Sequence, residues 1–181
     1  MLAVEELLRR YCHPATVEIL MTHGRMVAGK ALSACSSVHA DAETRRLVIE
    51  AAYLHDVGVC KVYAPDIYCN GTEPYIRHGV LGRELLELEG LPQHALICER
   101  HTGVGLTLQD ILSQHLPLPH REMVPEKLTE RIICYADLFY SKDPARLEQE
   151  KNVEKIRNGL RKFGDDKVAT FDAWHREFAA G

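Results

Sequence analysis

The chain has 181 residues, of which 46% are apolar, 27% charged and 7% aromatic. This composition excludes the disordered and fibrous classes, and the length suits one domain with its own hydrophobic core. The formal net charge is −4 and there is no basic run, so we expect no general nucleic-acid binding and favour a small-molecule partner.

The six cysteines are scattered without a C-x-x-C pair, which predicts reduced thiols rather than a disulfide framework or a zinc ribbon. The first twelve residues, MLAVEELLRRYC, contain no apolar leader region, and no window approaches the roughly 20 apolar residues that a membrane span needs. We therefore expect a cytoplasmic protein without a membrane partner.

Apolar residues recur every three to four positions along almost the whole chain, and no alternating β-branched run is long enough for a strand. This pattern predicts an all-α fold, a single-domain helical bundle. Pro14 and Pro92 suit the first turn of a helix, and Asp41 is a predicted N-cap. The predicted helices, in chain order, cover residues 3–11, 14 to about 38, 42 to about 56, 75–88, 92–101, 108–114, 129–141, 146–163 and 167–178.

Residues 57–74, VGVCKVYAPDIYCNGTEP, do not fit a plain bundle. Structureless connections longer than about 12–15 residues are uncommon and are often lids or binding loops, so we expect a lid here and a second irregular segment at 102–106. From residue 142 the helical faces are charged, with isolated large apolar residues such as Phe163 and Trp174. We interpret 142–181 as a packing appendage and about 14–141 as the core that carries the chemistry.

The third predicted helix ends on a histidine and an aspartate. Val48, Ala52 and His55 share one apolar stripe, and a histidine there is usually a core residue hydrogen-bonded to a carbonyl. Asp56 follows directly, however, and an acid at a buried helix C-terminus is disfavoured both by desolvation and by the helix dipole. A bound cation would remove both penalties.

Other histidines and an aspartate on apolar helices could complete a metal site. His23 and Asp137 lie within apolar helical stretches, whereas His78 and His101 lie beside the irregular segments. Each has an ordinary alternative, a buried salt bridge for Asp137 and a helix cap for the last two. Together with the His-Asp pair they supply four imidazoles and two carboxylates, enough for one or two divalent transition metal ions of the Fe, Mn, Zn, Co or Ni kind.

Four stretches in order, AAYLHDVG, HGVLGRELL, ERHTGVGLT and YADLFYSK, resemble the motifs of the HD-domain superfamily of metal-dependent phosphohydrolases. The resemblance runs from about residue 23 to about residue 137 and implies an all-α bundle with two metals. The ligands that it implies are His23, His55, Asp56 and Asp137 for one metal and His78 and His101 for the other, with Asp56 bridging.

The resemblance also implies a small phosphorylated substrate, because HTGVG is similar to a segment of HD hydrolases that act on symmetrical dinucleoside polyphosphates. We expect a nucleotide. Many members place a lysine directly after the HD-x-G tetrad, where this chain has Val59, and Lys61 stands two residues later. We name Lys61 first and Arg100 second as the phosphate contact, with Arg77 as an alternative and plain surface charge still open for all three.

The resemblance therefore implies a metal-dependent phosphohydrolase that cleaves a phosphoester or phosphoanhydride with a metal-activated water, using Asp56, Lys61 and Arg100 as catalytic residues. Two alternatives stay open. One is an HD-fold di-iron oxygenase, which the ligands alone do not distinguish, and the other is a non-catalytic nucleotide or metal sensor, which the retention of all six candidate ligands disfavours.

Overall fold

The computed structural model describes residues 2–179, and within this range the chain forms nine α-helices. Almost no strand is present there, so the all-α prediction is confirmed. The helices are α1 (Val4–Tyr11), α2 (Pro14–Ser37), α3 (Ala42–Leu54), α4 (His78–Leu88), α5 (Pro92–Arg100), α6 (Leu108–Ser113), α7 (Leu128–Asp137), α8 (Val153–Arg161) and α9 (Asp165–Phe178).

The predicted helix starts have the expected local chemistry. Pro14 and Pro92 occupy the first turns of α2 and α5, and the Asp41 carboxylate accepts a hydrogen bond from the Thr44 backbone N–H at 2.7 Å at the start of α3. These caps satisfy backbone groups that the helix itself leaves unpaired.

Two predicted boundaries are wrong, and Lys151 is central to both. Helix α7 ends at Asp137 rather than near residue 141, and α8 begins at Val153 rather than at residue 146. The Lys151 backbone N–H donates to the Phe139 carbonyl at 2.8 Å, and its ammonium group donates to the carbonyls of Leu138 and Tyr140. The chain after α7 therefore bonds to the segment before α8, and neither segment continues as a helix.

Residues 57–74 are folded rather than structureless, so the predicted lid is wrong in this respect. They form 3₁₀ turns at Val57–Lys61 and Pro65–Ile67 and a hairpin of two-residue antiparallel strands, β1 (Tyr63–Ala64) and β2 (Cys69–Asn70). Five apolar side chains of this segment are buried in a cluster with residues of α1, α2 and α4, which holds the segment in place. The buried residues are Val57, Val59, Val62, Ile67 and Cys69.

The long helix α2 contacts α3 and α7, and α4 packs on α5. One buried cluster joins α2, α3 and α7 to α8 and α9, and Trp174 of α9 is buried in it as expected. Phe163, predicted to pack, is instead 62% exposed. A second cluster joins α1, the other end of α2 and the 57–74 segment.

All six cysteines are free thiols, five of them buried, which agrees with the expectation of reduced cysteines. Among residues 2–179, the helices are too short or too polar for any of them to cross a membrane.

Candidate metal centre

Three helices bring four of the predicted ligands to one point. The end of α3 places His55 and Asp56 there, α2 contributes His23, and the last residue of α7 contributes Asp137. The His23 Nε2 atom lies 2.9 Å from Asp137 Oδ1 and 3.4 Å from Asp56 Oδ2. The His55 Nε2 atom lies 3.1 Å from Asp56 Oδ2 and 3.4 Å from Asp137 Oδ1. Two imidazole nitrogens and two carboxylate oxygens thus lie within 4.8 Å of one another, close enough to bind one metal ion.

The remaining two predicted ligands form a second group around the same aspartate. Asp56 Oδ1 lies 3.3 Å from His101 Nε2 and 3.5 Å from His78 Nε2, and these two nitrogens are 3.1 Å apart. One oxygen of Asp56 therefore faces the first group and the other faces the second. A bridging carboxylate needs this arrangement.

The orientation of three histidines is fixed by the backbone. In each, Nδ1 lies within hydrogen-bond distance of the carbonyl three residues earlier, at 2.9 Å for His55, 2.8 Å for His78 and 2.6 Å for His101. An Nδ1–H that donates to a carbonyl leaves Nε2 with a free lone pair, and metal-binding histidines are commonly held in this way.

Two of the converging atoms lack any hydrogen-bond partner although they are buried, namely His55 Nε2 and Asp56 Oδ1. Buried polar atoms are almost always paired, because leaving one unpaired costs about 1–3 kcal/mol. A cation between the Nε2 and carboxylate oxygens would satisfy both. A mixed nitrogen and oxygen donor set suits transition metals, so the residues present fit the implied metal.

Burial and mutual charge set the protonation states. Burial, with His101 adding, lowers the pKa of His78 to about 3, which keeps it a neutral ligand. Burial alone would lower the pKa of His55, but the carboxylates of Asp56 and Asp137 raise it to about 10 in the metal-free protein. Its Nε2 there carries a proton, which a metal ion would displace on binding. Although burial opposes the charged form of both carboxylates, His55 and Lys142 hold the pKa of Asp56, and His23 and His55 that of Asp137, well below the usual range, so both stay anionic.

Lys142 is a site residue that the sequence analysis missed. Its ammonium group lies 2.7 Å from Asp56 Oδ2, and its side chain is 16% exposed. Burial alone would lower the pKa of Lys142, but Asp56, with Tyr75 and Asp137, raises it above its ordinary value. The available signal was the position of this lysine five residues after Asp137, at the end of the YADLFYSK motif.

The basic residues that the sequence favoured lie elsewhere. Lys61 is exposed at the end of a 3₁₀ turn. Arg100 is bound by two acids, Glu130 at 2.9 Å and Glu126 at 3.2 Å, and Arg77 pairs similarly with a glutamate on the 57–74 segment. None of these three basic residues is brought together with the six ligands.

Gly58, two residues after Asp56, permits a close helix approach. A Cβ atom at this position would lie 2.0 Å from the His78 carbonyl oxygen and 2.4 Å from the Gly82 backbone nitrogen. Only a residue without a side chain lets the start of α4 come this near. Gly58 thereby helps to bring the second histidine group against Asp56.

A pocket of about 750 Å³ opens over the first ligand group, a volume typical of small-molecule sites. His23 and Asp137 reach its wall, as do Tyr75, Lys142 and Lys151. A ligand entering this pocket meets His23 and Asp137 of the first group together with Lys142.

The chain is similar to several known proteins. It is 32% identical over 127 residues to a tRNA (cytidine(56)-2'-O)-methyltransferase of Picrophilus torridus, covering 70% of this chain and 33% of the relative. The corresponding protein of Thermoplasma volcanium is 29% identical over 141 residues, 77% of this chain and 37% of the relative. An uncharacterized protein of Methanocaldococcus jannaschii is 33% identical over 119 residues, 64% of this chain and 61% of the relative. The chain thus spans only about a third of the methyltransferases that it matches.

Among solved structures, the HD domain of the L. monocytogenes phosphodiesterase PgpH has the same fold. It superposes with a TM-score of 0.54 at 18% identity, covering 97% of this chain and 88% of the other. The model of the HD domain family matches residues 4–141, a range that includes all six converging residues. The chain therefore belongs to the HD domain family.

Proposed function

We propose that this protein is a metal-dependent phosphohydrolase. It cleaves a phosphoester or phosphoanhydride bond of a small phosphorylated substrate, in our reading a nucleotide. His23, His55, Asp56 and Asp137 hold one divalent transition metal ion, and Asp56, His78 and His101 hold a second. Bound there, the metal ions supply Lewis acidity, which polarises phosphoryl oxygens and activates a water.

The observation that carries this proposal is the position of Asp56. Its two oxygens face different histidine groups, at 3.1 Å from His55 Nε2 and 3.3 Å from His101 Nε2. A purely structural aspartate would need only one compensating partner, and Lys142 already provides it. Four imidazole nitrogens lie within 3.5 Å of this one carboxylate, two beside each oxygen, which supports two cation sites that share Asp56.

Lys142 adds a positive charge to the pocket, where we propose that it contacts the substrate phosphate. Its side chain reaches the pocket wall beside His23 and Asp137, so a phosphoryl group near the ligands lies within reach of the ammonium. Lys61 and Arg100 stay predictions for this role, and Arg100 would first have to leave its two glutamates.

We also propose that residues 1–181 form a single domain in which 142–181 is more than packing. Lys142 and Lys151 both line the pocket, so this segment belongs to the substrate site of a core spanning about 14–141. The two methyltransferases whose names mention tRNA are about three times as long as the region that this chain matches. We therefore propose no tRNA substrate for this chain.

Elemental analysis of purified and reconstituted protein tests the metal assignment. We expect up to two transition metal ions per chain, the four-residue group binding more tightly because it supplies more ligands. Asp56→Asn should lower the content of both sites, whereas Lys61→Ala should leave it unchanged. Persistent absence of metal after reconstitution with Mn, Fe, Zn, Co and Ni in turn would refute the proposal.

A further inference from the structure

A second cavity, of about 540 Å³, lies beside the pocket over the metal centre. Leu138 and Lys151 line both spaces, so the two share a wall. The second cavity lies between the 102–106 segment and α8, and most of its lining is apolar. Its apolar walls include Ile76, Val104, Leu106, Leu116, Ile156, Leu160 and Phe163.

Gly159, on the α8 side of this cavity, is unexpected at a helix interior. A glycine inside a helix is less stable than alanine by about 0.5–1 kcal/mol, and usually a close contact or a special backbone angle explains it. Here neither applies, because a Cβ atom at Gly159 would meet no protein atom within 4 Å and the backbone conformation is helical. The missing side chain leaves space in the cavity instead.

Phe163 follows α8 and exposes an aromatic ring at the same cavity. It is 62% exposed while also lining the space, although the neighbouring α8 residues Ile156 and Leu160 are buried. An exposed aromatic ring beside an apolar cavity offers a stacking surface for another planar group.

The charge of the cavity is positive. Lys167 is paired with Asp110, but Lys151 donates only to backbone carbonyls, and Lys155 has no acidic partner among residues 2–179. Among residues 2–179, neither Lys151 nor Lys155 thus has a carboxylate within ion-pair distance, and Lys151 lies on the wall shared with the metal pocket. These charges favour a ligand with a negatively charged group, such as a phosphate, at the wall between the two spaces.

We propose that this cavity binds the organic part of the substrate, a planar group of nucleobase size, while the substrate phosphate lies at the metal centre. Gly159 provides space for this group and Phe163 provides a stacking surface. Lys151 provides a positive charge between the planar group and the phosphate at the metal centre. This inference rests on the proposed function. The cavity would make the site select nucleotides over sugar phosphates that lack a base.

The test is a binding measurement by calorimetry on metal-loaded protein, with phosphate release recorded separately. The probes are the four common ribonucleoside monophosphates and, without a base, ribose 5-phosphate. Wild type should bind at least one nucleotide about tenfold more tightly than ribose 5-phosphate, as expected for burying an aromatic group. Equal binding of all five probes would overturn the inference.

Gly159→Leu should fill the cavity and reduce this nucleotide preference about tenfold, and Gly159→Ala should reduce it less. Phe163→Ala should also reduce the nucleotide preference. Because Phe163 is exposed, this variant should fold even if the leucine at position 159 disturbs the helix. The matched control is Gly29→Leu, which makes the same change at an exposed helical glycine with open space around its Cβ position. An unchanged preference in both Gly159→Leu and Phe163→Ala would overturn the inference.

Different results would refute the phosphohydrolase proposal and the assignment of the cavity to the base. Base-selective binding without metal-dependent turnover of any nucleotide mono-, di- or triphosphate or phosphodiester would contradict the phosphohydrolase and leave the cavity assignment standing. Metal-dependent phosphate release without base selectivity would support the phosphohydrolase and remove the cavity assignment.

Discussion

Replacing Lys142 by methionine should strongly destabilise the metal-free protein. The ammonium lies 2.7 Å from Asp56 Oδ2; Asp56 is buried and the Lys142 side chain is only 16% exposed. At an effective dielectric constant of about 20, their attraction is about 6 kcal/mol. Desolvation offsets part of this, and removing one partner of a buried ion pair typically costs about 3–5 kcal/mol. Here Asp56 would lose its nearest compensating charge and keep only His55, at 3.1 Å.

For a chain of this size, that loss corresponds to a fall in Tm of about 6–20 °C. Thermal unfolding followed by far-UV CD in EDTA measures it. Saturating divalent metal should shrink the difference between variant and wild type, because cations bound beside Asp56 compensate the same charge. The kcat/KM for phosphate release should still fall about 100-fold, as expected when a charged contact to the reacting group is lost.

The control is Arg25→Met, which removes an ion pair to Glu148 whose two side chains are both more than half exposed. Such surface pairs contribute about 0–1 kcal/mol, so its Tm should stay near that of wild type. If Lys142→Met is as stable as wild type in EDTA, then the buried ion pair and the charge compensation derived from it are wrong.

Four further changes have defined outcomes. Asp56→Asn should abolish phosphate release and reduce both metal contents while far-UV CD stays helical; full metal content with normal turnover would exclude a bridging role. His78→Ala removes a ligand of one group only, so metal analysis should find about one ion and residual hydrolysis should remain. Gly58→Ala should displace the start of α4 and lower both Tm and the second metal content, and an unchanged Tm would contradict the close approach. Phe171→Ala should cost about 3–5 kcal/mol in urea unfolding, because this ring is fully buried, without changing metal affinity.

The His55-Asp56 pair could be predicted locally, because a buried helix end disfavours an acid such as Asp56. The other four residues were predicted from the order of the motifs that resemble the HD-domain superfamily. No distance was available from the sequence, however, so the placement of the two Asp56 oxygens toward different histidine groups required the structure.

Features that depend on contacts between distant segments were not predictable in the same way. The ends of α7 and α8 follow from Lys151, whose bonds to Leu138, Phe139 and Tyr140 join segments that a helical periodicity treats separately. Lys142 was missed for the same reason. Its approach to Asp56 spans 86 residues, and periodicity carries no information over such a separation.

Anaerobic turnover is the sharpest test of whether the six residues form a metal centre that hydrolyses phosphate bonds. Metal-reconstituted wild-type protein is incubated with the nucleotide panel without oxygen, and released phosphate or nucleotide product is quantified against an EDTA-treated sample. We expect turnover that requires metal and proceeds without oxygen. Turnover that requires oxygen would indicate an oxygenase, and no turnover of any phosphorylated compound by fully metal-loaded protein would contradict the phosphohydrolase.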